Sequence, residues 1–163
     1  MRFRILAFGK LKTDGLRDTA DYYKRILRPW AAVEEIELKP ISVPDKSAAT
    51  RTRVQEKEGI LLLERFEKID RGAIYLLDET GISRTTQKWA GAFQELEISG
   101  ISTVSFCIGS SLGFSPAIRQ RAQGTFSFGP QTFSHELARV VLLEQLYRAT
   151  SVLKGHPYHN EGE

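Results

Sequence analysis

The amino-acid sequence predicts an α/β fold: a mainly parallel sheet of about five strands flanked by helices. Three observations carry this. Short apolar runs alternate along the chain with longer stretches of helical periodicity. The run AIYLL (Ala73 to Leu77) is apolar without interruption, as expected of a strand covered on both faces. Several of the apolar runs end in loops rich in glycine, proline or acidic residues, the pattern of strand ends that open toward ligands.

Taken in order, Phe3 to Phe8 (FRILAF) is a strand ended by Gly9. Asp14 to Leu27 places Leu16, Ala20, Tyr23 and Leu27 at helical spacing, and Pro29 stops it. Val33, Ile36 and Leu38 make a second, more polar strand, and the Ser/Pro-rich stretch 41–50 is an exposed, mobile loop. Arg51 to Ile69 is a charged amphipathic helix, Ala73 to Leu77 a strand, and Thr86 to Ile98 a helix with Trp89, Phe93 and Leu96 inward. Thr103 to Ile108 is a strand, Ser115 to Ala122 a helix, and Thr125 to Phe128 a short strand broken by Gly129-Pro130. A long helix then runs from Ser134, a good N-cap, to Leu153. Its apolar residues cover more than one face, so it is buried on several sides. The predicted second burial partner is another copy of the chain, giving a homodimer through this helix.

At 163 residues the chain suits one domain spanning 1–163, and 41% hydrophobic with 26% charged residues is ordinary for a globular protein. The net charge of +3 is unevenly spread, for residues 1–28 hold eight Lys/Arg against three Asp. Such a segment suits phosphates, or forms a solvated helix face. One cysteine, Cys107, excludes an intrachain disulfide and fits a reducing cytoplasm. Within an apolar strand it reads as inert packing. The three histidines lack metal-ligand spacing, so no metal is expected, and no apolar run is long enough to span a membrane.

Three loops at predicted strand ends, Asp78 to Gly81, Gly109 to Phe114 and Phe128 to Ser134, make a case for one shared pocket. Gly109-Ser110-Ser111-Leu112-Gly113 reads two ways. It is a loop that cradles a cofactor, or a G-x-S-x-G nucleophile elbow with Ser111 as nucleophile and Glu136 with His156 or His159 following in chain order. The tail Gly155-His156-Pro157-Tyr158-His159 concentrates two imidazoles and a phenol beyond the last helix. Tyr158 can stack on a base, and His159 can move a proton near neutral pH. Glu144 and Arg148 stand i,i+4 on the long helix, as a surface pair or with Arg148 facing a phosphate or anionic base. His135 at the helix start either caps it or meets a ligand.

IGSSLGFS (Ile108 to Ser115), TFSHELARVVLLEQLYRA (Thr132 to Ala149), GHPYH (Gly155 to His159), FRILAFGKLK and LLDETG together resemble the bacterial ribosomal RNA large subunit methyltransferase H family. The resemblance runs along essentially the whole chain. It implies a SPOUT-class fold with a C-terminal trefoil knot, and S-adenosylmethionine as cofactor, held by Leu77, Gly109, Phe128, Gly129, Pro130, Gln131, Thr132 and Phe133. It further implies methylation of N3 of a pseudouridine in helix 69 of 23S rRNA, in the assembled 70S ribosome in the cytoplasm, by a dimer whose active sites draw on both subunits. The catalytic residues expected on this reading are His159, Tyr158 and Arg148. Two positions depart from the family, Ser110 for a glycine and Ser134 for a proline, so a non-catalytic ribosome-binding relative stays open beside the enzyme, as does the hydrolase.

Overall fold

The computed structural model describes residues 1–68 and 72–156. Five strands form one sheet: β1 (Arg2–Phe8), β2 (Ala32–Leu38), β3 (Gly72–Leu77), β4 (Thr103–Ile108) and β5 (Gly124–Phe126). Their order is β2-β1-β4-β3-β5, and every pairing is parallel. All strand carboxyl ends therefore lie on one edge. The helices are α1 (Asp14–Leu27), α2 (Ala48–Phe66), α3 (Thr86–Ile98), α4 (Pro116–Arg121) and α5 (His135–Leu153).

The pleat divides the apolar residues between two layers. Phe3, Ile5 and Ala7 of β1 and Val104, Phe106 and Ile108 of β4 face α1, α3 and α5. Leu6, Phe8, Ile74, Leu76 and Cys107 face α2 and α4 through Leu62, Phe66 and Ile118. The first layer is dominated by aromatics, with Trp89 meeting Phe126 at 4.4 Å and Phe106 at 5.8 Å between ring centroids.

Most elements stand where the hydrophobic periodicity puts them. α2 starts earlier than Arg51, because the Ser47 hydroxyl accepts the Thr50 amide at 3.1 Å and Asp45 accepts from Ser47 N and Thr50 Oγ1. It ends at Phe66, and Ile69 lies outside the described residues. β5 ends at Phe126, so Phe128 belongs to the loop that follows.

α5 corrects one line of reasoning. Its broad apolar surface is mostly taken up inside the chain, packed between α1 and α3 and against β1 and β4. What stays partly open is a stripe of Leu137, Val141, Glu144, Arg148 and Val152 at helical spacing. The buried charged residue of this helix is Arg139, 1% exposed.

Candidate functional site

The strand order sets β4, β3 and β5 side by side, so the loops that follow them share one edge of the sheet. Asp78 organises the first loop. Its Oδ1 accepts the Thr80 amide at 2.9 Å and hydroxyl at 2.6 Å, and its Oδ2 accepts Arg119 Nη2 of α4 at 2.6 Å. Burial pushes the Asp78 carboxyl upward, but the Thr80 and Arg119 hydrogen bonds outweigh it and hold the group below its usual range.

The loop after β5 is fastened to the first. The Asp78 amide donates to Phe126 O at 3.0 Å, Ser127 Oγ donates to Glu79 O at 3.3 Å, and Thr132 Oγ1 donates to Glu79 Oε2 at 2.7 Å. The Phe128 ring stacks on Trp89, with centroids 6.0 Å apart and planes 8° from parallel, and meets Phe133 edge-on at 5.9 Å. Gly129 has φ +117°, a conformation that side chains rarely adopt, and a Cβ there would lie 3.0 Å from Gln131 Oε1. Among the described residues the main-chain amides of Gln131, Thr132 and Phe133 find no acceptor. These exposed donors, beside the half-buried Leu77, Phe128 and Phe133, fit a ligand with a planar base and hydrogen-bonding edges.

The loop after β4 turns on Ser110, whose carbonyl accepts the Gly113 amide at 3.1 Å and whose hydroxyl accepts the Leu112 amide at 3.4 Å. Gln55 of α2 donates to Leu112 O at 2.6 Å. A Cβ at Gly109 would stand 3.2 Å from the Phe114 ring, so no larger residue fits there without movement. Behind the loop lies Glu58 of α2, only 3% exposed. Burial pushes its carboxyl upward, while the Ser110 hydroxyl and Ile41 amide face it and pull it back. Neither oxygen completes a well-formed hydrogen bond among the described residues. Cys107 is buried beneath this loop, and burial pushes its thiol far up, as suits inert packing.

Leu77, Gly109, Phe128, Gly129, Pro130, Gln131, Thr132 and Phe133 therefore all lie at this edge. Arg148 does not. It sits 14 residues along α5 from Ser134, about 21 Å at 1.5 Å per residue, and its Nε donates to Glu144 Oε1 at 2.5 Å. The end of α5 reaches Trp30, which lies just before β2 and hence at the opposite edge of the sheet. Tyr147 stacks on the Trp30 ring at 5.5 Å and His156 meets it at 5.0 Å. Tyr158 and His159 lie outside the described residues.

Within one copy the described residues do not assemble the elbow's partners, and His159 lies outside them. Glu136 Oε2 accepts the amides of Lys12 at 3.1 Å and Thr13 at 2.9 Å, and His156 is at the far end of α5. His135 packs against Gly9, and burial, followed by the neighbouring Arg139, holds its imidazole below the usual value.

Sequence reasoning missed a charge cluster around one buried cation. Arg139 Nη1 donates to Glu37 Oε1 at 2.9 Å and lies 3.6 Å from Glu35 Oε2, while Nη2 donates to the Gly9 carbonyl. A single cation inside the apolar run of α5, with three glutamates in β2, was the available signal.

Comparison with known proteins identifies the family. A family model described as "Predicted SPOUT methyltransferase" matches residues 1–159. The ribosomal RNA large subunit methyltransferase H of Clostridium botulinum is 36% identical over 160 residues, covering 98% of this chain and 99% of that protein. The protein of the same name from Streptococcus pneumoniae is 38% identical over 161 residues, with 98% and 99% covered. The chain belongs to the ribosomal RNA large subunit methyltransferase H family. Among solved structures, the SpoU methyltransferase AviRb of Streptomyces viridochromogenes, in complex with AdoMet, aligns at TM-score 0.46 and 13% identity over 95% of this chain and 61% of that one. That likeness is too loose to carry functional weight.

The structure accommodates both serines that the resemblance singled out. Ser134 caps α5 by accepting the Leu137 amide at 3.3 Å. Ser110 adds a hydroxyl that serves its own loop and faces Glu58.

Proposed function

We propose that the protein transfers a methyl group from S-adenosylmethionine to N3 of a pseudouridine in helix 69 of 23S rRNA, acting on assembled ribosomes in the cytoplasm. The observation that carries this reading is the edge formed by the loops after β3, β4 and β5, with its glycine bends and unsatisfied main-chain donors, in a chain that aligns with the methyltransferase H proteins over 98% of its length. On this reading Leu77, Gly109 and residues 128–133 hold the cofactor, and the expected trefoil knot involves the segments following β4 and β5, on either side of β3. Bound there, S-adenosylmethionine supplies a methyl group activated by its sulfonium. The residues of the chain then have to position the acceptor nitrogen in line and deal with its proton. His159 or Tyr158 takes or orients that proton, and Arg148 stabilises the charge that develops on the base.

In one copy α5, 19 residues or about 28 Å long, separates the loops from its far end, where His156 meets Trp30, and Arg148 stands most of that length away. A two-fold pairing of α5 with its counterpart, antiparallel, would bring the Arg148 and tail of a second copy to the loops of the first. The open stripe of Leu137, Val141, Arg148 and Val152 supports that pairing. The test is methyl incorporation into 70S ribosomes lacking the modification, followed by nucleoside mass spectrometry. Label recovered as N3-methylpseudouridine is expected. A ribosome that stays unmethylated, or a methyl on another nucleoside, overturns the reading. Sedimentation at micromolar concentration tests the dimer, and a monomer there removes it.

A further inference from the structure

The β1/β2 end of the carboxyl edge carries no role in the cofactor site, yet it forms a basic concavity. Two clefts, of about 520 and 510 Å³, share Lys39 and Pro40 and so form one trough. Lys10 and Lys12 after β1, Lys39 after β2, and Arg53 and Lys57 of α2 line it. Arg53 and Lys57 are one helical turn apart and share a face. All five are exposed, and none has an ion-pair partner within 4.0 Å among the described residues.

Three of the six other cations of the basic N-terminal segment behave differently. Arg4, Arg17 and Lys24 are matched by Glu34, Glu37 and Glu35. Of the two carboxylates in the trough wall, Glu37 is paired with a cation, whereas Glu136 is held by main-chain amides and keeps its charge. Glu37 is bound by Arg139 and the Leu11 amide, and Glu136 by the amides of Lys12 and Thr13. Five cations against these two carboxylates leave the trough with an excess of positive charge.

We propose that this trough holds the phosphodiester backbone of the RNA substrate. The inference rests on the rRNA reading for the identity of its polyanion. No Phe, Tyr or Trp lines either cleft, so the surface suits phosphates more than splayed bases, which need aromatic platforms. The trough also runs up to His135 and Glu136, which follow directly on the cofactor loop 128–134. RNA lying in it passes the edge where the methyl group is delivered.

The test neutralises Lys39, Arg53 and Lys57 together as Lys39→Gln, Arg53→Gln and Lys57→Gln. A charge-matched control carries Arg65→Gln, Lys68→Gln and Lys88→Gln. Binding of a helix 69 hairpin RNA is measured against salt, alongside kcat and KM on unmodified 70S ribosomes, S-adenosylmethionine affinity and Tm. The trough variant should lower the slope of log K against log salt by about 2, from roughly 0.7 per lost phosphate contact. Its KM should rise at least about tenfold, with kcat, cofactor affinity and Tm unchanged. The control should match wild type. An unaltered slope and KM in the trough variant, or an equal loss in the control, overturns the proposal. If wild type binds the hairpin with a slope that the trough variant lowers, but ribosomes are not methylated, the trough stands and the methylation reading falls.

Discussion

Replacing Arg139 by Met tests the account of how α5 is held. The side chain is 1% exposed and ties α5 to the ends of β1 and β2 through Glu37, Glu35 and the Gly9 carbonyl. Removing one member of a buried ion pair costs about 3–5 kcal/mol, because the partner stays buried with its charge unmatched. Two features favour the lower end. The Glu37 side chain is 31% exposed and can hydrate, and Glu35 keeps Lys24 Nζ at 2.7 Å. The expected loss is about 3 kcal/mol, which for a chain of this size lowers Tm by about 6–12 °C.

Calorimetric melts at pH 7 measure the loss, and melts at lower pH supply a second check. Burial pushes the Glu37 carboxyl upward, but the Leu11 amide, Arg139 and Arg17 outweigh it and hold it below its usual range. Its stabilising contribution is therefore present above the ordinary carboxylate pKa and is lost as pH falls through the depressed value. The gap between wild type and variant should narrow in that acid range. Adding Glu37→Gln to Arg139→Met should recover part of the loss. A Tm shift under about 2 °C at pH 7, or a gap that widens in acid, refutes the reasoning.

Trp89→Ala removes the ring under Phe126 and Phe128. It should cost about 3–5 kcal/mol by chemical denaturation and weaken S-adenosylmethionine binding in calorimetric titration. Gly129→Ala forces a side chain into φ +117° and onto Gln131. About 1–3 kcal/mol of strain should appear mainly as lost cofactor affinity, and unchanged affinity would count against the loop's role. Glu58→Gln removes a carboxyl whose folded-state pKa is raised by burial, so its penalty is absent below the ordinary carboxylate pKa and complete above the raised value. The variant should be more stable than wild type at alkaline pH and indistinguishable in acid, as followed by denaturant melts across pH.

Periodicity alone located the helices and strands to within a few residues, because burying an apolar face imposes a period of 3.6 or 2 on the chain itself. AIYLL became an inner strand, and the glycine and proline punctuation marked three loops that share the carboxyl edge of the sheet. What sequence reasoning misjudged involves contacts between distant residues. The sequence reading singled out Arg148 on α5 and passed over Arg139, the buried cation of that helix, since only the packed sheet reveals that Glu35 and Glu37 reach it.

The sequence by itself thus determined the α/β class, the element order and the loops available for chemistry, all of which are local consequences of side-chain pattern. Only the tertiary structure decided that β4, β3 and β5 are neighbours, that Lys10, Lys12, Lys39, Arg53 and Lys57 line one trough, and that the cofactor loops stand a helix length from Arg148. Those facts depend on strand order and on the direction of α5, which no local pattern encodes.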